Sequence, residues 1–168
     1  MNRRHFIIGF LSLATSPLIL LNLVGDRRVM ADKIEKIQKS NAEWRKILTP
    51  EQYHILREEG TERPFSSPLN NEKRKGLYVC AGCGLPLFTS EMKFDSGTGW
   101  PSFFTSIEGH LETKRDFKLI FPRTEYHCAR CGGHQGHVFD DGPPPTGQRW
   151  CNNGVALKFI PDQTEGNN

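Results

Sequence analysis

The sequence has no strong excess of charge, no long low-complexity segment and no internal repeat beyond two short cysteine motifs. Its 22 Lys and Arg against 19 Asp and Glu leave a formal net charge of only +3. This balance does not indicate a nucleic-acid or an anionic-membrane partner, because such partners are usually met by a strongly basic surface. Cysteine is also scarce, with five residues. The pattern of these few cysteines is the most informative feature of the chain.

Four of the five cysteines lie in two Cys-x-x-Cys pairs, Cys80 with Cys83 and Cys128 with Cys131, and glycine follows each pair. A two-residue spacer lets both thiolates reach one ion, so two such pairs can form a tetrahedral site. Iron competes with zinc for four thiolates, and disulfides are the other alternative in an exported chain. A Cys-x-x-Cys disulfide closes a tiny loop and stabilises little. We predict one structural Zn²⁺, since four protein ligands leave no open coordination position.

The N-terminus has the layout of an export signal. Basic residues up to His5 precede an uncharged apolar run over 6–24, and Val29-Met30-Ala31 would suit signal peptidase. The two adjacent arginines resemble a twin-arginine signal, which would carry the folded protein to a bacterial periplasm. The alternative is an uncleaved anchor in the inner membrane, because the run is just long enough to span a bilayer. The predicted divisions are an export signal or anchor over 1–31, a linker over 32–39, one domain over 40–161 and a flexible tail over 162–168.

Residues 40–60 predict two short helices ahead of a β-rich region. Ser40 and Glu43 have the spacing of a capping box, and Thr49-Pro50 is a second helix start with its end expected near Gly60. After Gly60, short apolar stretches alternate with glycine and proline, which favours a mainly β fold. Strands are predicted over 76–79, 87–88, 110–112, 118–121, 124–127, 137–139, 149–151 and 156–160. The proline-rich segment 140–147 is predicted to be a stiff loop.

The fifth cysteine, Cys151, lies outside the two pairs and is the candidate nucleophile. On a strand, Arg149 and Asn153 would share its face, where the arginine would lower the thiol pKa and the amide would donate to the thiolate. His134 and His137 are candidates for proton transfer near neutral pH. Taken singly, the cysteine is more often an inert buried thiol and each histidine a structural residue. The combination of a lone cysteine with these neighbouring residues favours a catalytic role.

Four longer motifs carry a family resemblance: GTGWPSF at 97–103, RTE at 123–125, HQGHVF at 134–139 and GPPPTGQRWCNN at 142–153. Together with GTERPFS at 60–66 and KFDSG at 93–97, they resemble the B-type methionine-R-sulfoxide reductase family. The resemblance extends over about 40–161, with the cysteine pairs in place. It implies a mainly β fold, in which two small antiparallel sheets carry the site and short helices lie at the N-terminus.

The resemblance also implies reduction of the R-epimer of methionine sulfoxide, free or in oxidised proteins, as in protein repair after oxidative stress. The cysteine would attack the sulfoxide sulfur and become a sulfenic acid as methionine leaves. Two histidines would deliver protons to the departing oxygen, a tryptophan would hold the S-methyl group, and an arginine and an asparagine would position the thiolate. The residues implied for these roles are Cys151, His134, His137, Trp100, Arg149 and Asn153.

The chain differs from many members of that family at one position. They carry a second, resolving cysteine just before the Gly-Trp-Pro-Ser-Phe motif, where this chain has Thr98. With four cysteines bound to metal, none remains to form a disulfide with Cys151. An external thiol, from a thioredoxin-like protein or a small molecule, would therefore resolve the sulfenic acid. We expect a monomer that meets a membrane only if the N-terminal segment is retained.

Two other functions are compatible with parts of the sequence. A non-enzymatic zinc-binding interaction module would present a basic face with aromatic residues, and the modest charge and odd thiol argue against it. A thiol–disulfide oxidoreductase would need one Cys-x-x-Cys pair free of metal. Titration of the thiols in the metal-loaded protein separates these cases.

Overall fold

Both predicted helices are present, and each begins at the predicted capping residue. A computed structural model of the chain describes residues 34–117 and 122–163. Ser40 caps α1 (Asn41–Ile47) and Thr49 caps α2 (Pro50–Glu58), and each forms a reciprocal capping box with the third helical residue. Helix α2 ends at Glu58, and the next residue, Glu59, has a left-handed φ of 55° that turns the chain away near the predicted place.

The described residues contain nine strands, and every pairing between them is antiparallel. The strands are β1 (Gly76–Cys80), β2 (Pro86–Thr89), β3 (Lys93–Phe94), β4 (Ser102–Phe103), β5 (Leu111–Asp116), β6 (Arg123–Cys128), β7 (His134–Phe139), β8 (Arg149–Asn152) and β9 (Leu157–Pro161). The smaller sheet has the order β2-β1-β9 and the larger the order β3-β4-β8-β7-β6-β5. The predicted fold class, mainly β with two antiparallel sheets, is therefore confirmed.

Most strand boundaries lie within one residue of the predictions, and the larger differences concern β5, the pair β3 and β4, and β7. Strand β5 continues to Asp116, beyond the predicted end at Glu112, and the strand predicted over 118–121 lies outside the described residues. The short strands β3 and β4 were not predicted, because two residues cannot display an alternating pattern. Strand β7 begins at His134, so the whole HQGH motif lies on one strand beside β8. The loop over 140–147 contains no strand, as predicted.

One hydrophobic cluster joins the helices to both sheets. Trp44 of α1 is buried together with Phe88 of β2 and Phe103 of β4, whose rings stack with centroids 3.9 Å apart. Tyr126 of β6 is fully buried, and its hydroxyl donates to Asn152 Oδ1 at 2.9 Å. Strand β8 is thus bound on both sides by β4 and β7 and anchored to the core at its last residue.

The N-terminal segment predicted as an export signal or anchor, over 1–31, lies outside the described residues. The predicted linker is part of the packed structure from Ile34 onward, because Ile34 and Ile37 pack against the core and the Ile37 N–H donates to Arg130 O at 2.7 Å. All described residues belong to one compact unit. No helix among them has the length and apolar character needed to cross a membrane.

Candidate active site and metal centre

The four paired cysteines converge on one point. Strands β1 and β6 end at Cys80 and Cys128, and the turns that follow bring in Cys83 and Cys131. All four Sγ atoms lie within 4.8 Å of one another, with separations of 3.6 Å between Cys80 and Cys131 and 3.5 Å between Cys83 and Cys128. A tetrahedral ion with bonds of about 2.3 Å to sulfur places its ligands roughly 3.8 Å apart. The donor set therefore fits one four-coordinate ion, and these separations are far longer than a disulfide bond of about 2.05 Å.

The glycine after each pair closes the turn that aims the sulfurs inward. Gly84 and Gly132 have φ values of +73° and +67°, which L side chains rarely adopt. The N–H groups of these glycines donate at 2.8 Å to the carbonyls of Cys80 and Cys128 respectively. Gln135 of β7 donates to Cys80 Sγ at 3.4 Å. The strand that carries the candidate histidines is thus tied directly to the metal centre.

Cys151 lies near the middle of the larger sheet, opposite His137 of β7 on one side and Ser102 of β4 on the other. It lines a pocket of about 120 Å³. The other lining residues are Thr61, Trp100, Arg123, Gly136, His137, Phe139, Asn152 and Asn153. Of the predicted site residues, the pocket brings together the cysteine, the tryptophan, one histidine and the asparagine.

The two histidines each pair with a carboxylate. His134 is buried, and its Nδ1 donates to Glu125 Oε1 at 2.8 Å, which leaves its buried Nε2 without a hydrogen-bond partner. His137 Nε2 donates to Asp116 Oδ2 at 2.8 Å, and Arg123 donates to the same oxygen at 2.8 Å. Burial lowers the pKa of both imidazoles, and the adjacent carboxylates oppose that shift. Both rings are therefore mainly neutral at rest, next to groups that stabilise them once protonated.

Arg149 is not among the residues that line the pocket. Its guanidinium donates to both carboxylate oxygens of Asp141, at 2.8 and 2.9 Å, and stacks over the Phe139 ring at 4.3 Å. Burial raises the pKa of the Cys151 thiol, while the positive charge of Arg149 and the hydroxyl of Thr98 act in the opposite direction. The charge of the arginine therefore favours the thiolate, but burial outweighs it in the resting site.

The Asn153 side chain has a different partner from the predicted one. Its Nδ2 donates to the Gln135 carbonyl at 3.0 Å, and its Oδ1 accepts the Glu62 N–H at 3.0 Å. It also lies just beyond the end of β8, so the strand argument for its orientation does not apply. Asn153 lines the pocket while its amide joins three chain segments.

Glu62 was missed by the sequence reasoning, and it links the two walls of the pocket. Its buried carboxylate accepts the N–H groups of Gly154 at 2.6 Å and Val155 at 2.9 Å. Its carbonyl accepts the Trp100 Nε1–H at 3.2 Å. It lies in the GTERPFS motif at 60–66, but the motif gives no role for the carboxylate, because its partners lie about 90 residues further along the chain. The contacts place Trp100 and the turn after Cys151 on one support.

Comparison with known proteins agrees with this architecture. The SelR domain family matches residues 48–161. The chain is 58% identical over 127 residues to peptide methionine sulfoxide reductase MsrB of Agrobacterium fabrum, covering 75% of this chain and 94% of that protein. It is 53% identical over 132 residues to the protein of the same name from Methanosarcina mazei (78% and 94% covered) and 53% over 129 residues to that from Pseudomonas putida (76% and 98%). The chain belongs to the SelR domain family, that of the B-type methionine sulfoxide reductases, which confirms the resemblance carried by its motifs.

Proposed function

We propose that the protein is an oxidoreductase that reduces the R-epimer of methionine sulfoxide, in oxidised proteins and as the free amino acid. The observation that carries this proposal is the pocket in which Cys151 lies between Trp100 and the histidine-bearing strand. Its volume of about 120 Å³ suits a short thioether side chain. Membership of the SelR domain family, with relatives named methionine sulfoxide reductases, supports the same substrate.

The reaction begins when the Cys151 thiolate attacks the sulfoxide sulfur. Because burial raises the thiol pKa, the proton has to leave to a nearby base, and the cross-strand neighbour His137 is the residue best placed to take it. A bond forms between the cysteine sulfur and the sulfoxide sulfur, and the protonated sulfoxide oxygen leaves as water. A water molecule then attacks the cysteine sulfur and breaks the bond between the two sulfurs, so that methionine leaves, reduced by two electrons, and Cys151 carries a sulfenic acid. Trp100 offers an aromatic face to the S-methyl group.

The oxygen requires a proton to depart, because an anionic oxide is a poor leaving group. His134 is suited to this step once its Nε2 has taken up a proton from solvent, since its Nδ1 is held by Glu125 and its Nε2 has no partner in the described structure. A carboxylate behind the ring stabilises the imidazolium that donates the proton. His137, backed by Asp116, can return the proton that it took from the thiol. Arg149 supports the thiolate through its charge, and Asn153 shapes the pocket and fixes the adjacent backbone.

An external thiol, from a thioredoxin-like protein or a small molecule, then reduces the sulfenic acid. This step follows from the location of the other four cysteines, which are grouped away from Cys151 in the metal centre. We assign the metal as a single zinc ion with a structural role, supported by the four-thiolate donor set and its tetrahedral spacing. The working form is a monomer. The N-terminal segment directs export to the periplasm, and the alternative is that it remains as an anchor in the inner membrane.

The test is an assay of both sulfoxide epimers with dithiothreitol as reductant, using wild type and Cys151→Ser. We expect turnover of the R-epimer alone, abolished by the substitution. The S-epimer serves as the matched control, because it carries the same groups and differs only in the configuration at the sulfoxide sulfur. Turnover of the S-epimer, or full activity in Cys151→Ser, would reject the proposal.

A further inference from the structure

Three hydroxyl groups beside Cys151 are joined in a series of hydrogen bonds that the mechanism above does not use. Ser96 Oγ lies 2.8 Å from Thr98 Oγ1 and 2.8 Å from Ser102 Oγ, and the Ser102 hydroxyl donates to the Trp100 carbonyl at 3.1 Å. Ser102 is fully buried and is the cross-strand partner of Cys151, so the two side chains leave the sheet on the same face. The hydroxyl of Thr98, at the other end of this series, lowers the pKa of the Cys151 thiol, as a hydrogen-bond donor to the thiolate does.

Two arrangements of the hydroxyl protons run in one direction along all three side chains. Each hydroxyl has one proton to donate, whereas the Trp100 carbonyl can only accept. If Ser102 donates to that carbonyl, Ser96 has to donate to Ser102 and Thr98 to Ser96. Thr98 then has no proton left for the sulfur and can only accept from the Cys151 thiol.

The second direction is the reverse of the first. A thiolate can only accept. When Thr98 donates to it, Ser96 can donate to Thr98 and Ser102 can donate to Ser96. The Trp100 carbonyl then loses its bond from Ser102. The Thr98 N–H donates to Ser96 Oγ at 3.4 Å, and this bond holds the central serine in place in either direction.

We propose that Thr98, Ser96 and Ser102 form a reversible hydroxyl relay that turns around when Cys151 loses its proton and so stabilises the thiolate. The hydroxyl groups rotate, and no proton passes along the chain. Ser96 and Ser102 are positioning residues, because they act on the sulfur through Thr98. The relay rests on the proposed role of Cys151 as nucleophile, and it explains how a buried thiol is helped to ionise. Aligned hydroxyl groups polarise one another, so the chain stabilises charge better than Thr98 alone.

Other groups around the sulfur also influence its ionisation. Arg149 favours the thiolate and Asp141 disfavours it. His137 and Arg123 line the same pocket, and Asp116 pairs with both. These five residues are unchanged in the variants that test the relay, so their contributions cancel in the comparison.

The experiment measures the rate of iodoacetamide alkylation of Cys151 against pH in the metal-loaded protein, without substrate. We expect Thr98→Val to move the alkylation midpoint up by about one pH unit, which is a roughly ten-fold slower reaction at pH 7. Ser96→Ala should slow it about three-fold, because Thr98 can still donate but is no longer polarised. Thr98→Ser, which keeps the hydroxyl, should retain the wild-type curve. Thr113→Val, an exposed position on β5, is the matched control.

An unchanged curve for Ser96→Ala would overturn the relay, because that serine is then only a structural residue of the loop. Equal shifts for Thr98→Ser and Thr98→Val would overturn it as well, since the hydroxyl would not be the cause. Because the readout is alkylation, it is independent of sulfoxide turnover. If the alkylation curves refute the relay while the R-epimer is turned over, only this inference fails. If the curves shift as expected and the R-epimer is not turned over, only the proposed function fails.

Discussion

Replacing Glu62 by glutamine tests whether one buried carboxylate holds the two walls of the pocket together. The glutamine keeps the backbone bonds of this residue to Asn153 and Trp100 and changes only the end of the side chain. The carboxylate accepts two backbone N–H groups, from Gly154 and Val155. An amide offers one oxygen, so its NH₂ group has to face one of these donors.

The expected loss of stability follows from that change. One hydrogen bond to a charged acceptor contributes about 1.5–3 kcal/mol, and a buried donor without an acceptor costs about 1–3 kcal/mol. Part of this loss is offset, because burial disfavours the Glu62 carboxylate and raises its pKa above the usual value of 4.5. We expect Glu62→Gln to lower the free energy of unfolding by about 3 kcal/mol, or the melting temperature by roughly 10 °C.

Urea unfolding of the metal-loaded protein measures this difference, with Glu108→Gln, an exposed position in a turn, as control. The control should stay within about 0.5 kcal/mol of wild type. Because the folded-state pKa is raised, the stability that Glu62 contributes through its titration is present below the unfolded pKa and is lost as the pH rises through the folded value. The gap between wild type and Glu62→Gln should therefore be wider at pH 5 than at pH 8. A variant as stable as the control at both values would refute the reasoning.

Three further predictions follow from the site. Arg149→Gln removes the cation that favours the thiolate, so the pKa of Cys151 should rise further and alkylation at pH 7 should slow about ten-fold; an unshifted pH profile would contradict this. Glu125→Gln removes the charge that stabilises protonated His134, and kcat with dithiothreitol should fall about 100-fold; an unchanged kcat would count against the proton-donor role. Removing the metal with a chelator should unfold the domain and make all five thiols reactive, because structural zinc contributes about 10–16 kcal/mol; circular dichroism and thiol titration would detect a stable metal-free fold if the site were dispensable.

The local features of the fold could be read from the sequence because their causes are local. Ser40 and Thr49 cap their helices through residues three positions away, and the two Cys-x-x-Cys-Gly turns close through bonds within each motif. The cysteine spacing alone also indicated that all four sulfurs meet, because two Cys-x-x-Cys pairs are typical of a metal site with four cysteine ligands. These features needed no knowledge of the rest of the chain.

The remainder depends on contacts between distant residues. Glu62 meets Gly154 across 92 positions, and no pattern near either residue indicates the pairing. Asn153 was expected to face the thiolate by strand alternation, but the strand ends at Asn152 and the amide binds backbone groups instead. The net direction of the Cys151 pKa was equally hidden, because burial of a side chain is a property of the whole fold.

A single turnover without reductant tests the chemistry of Cys151 most directly. The metal-loaded protein is mixed with excess R-sulfoxide, then treated with dimedone and mapped by mass spectrometry. The account predicts stoichiometric release of methionine and a dimedone adduct confined to Cys151, with the four cysteines of the metal centre unmodified. A disulfide that includes Cys151, or methionine released while Cys151 remains a free thiol, would contradict it.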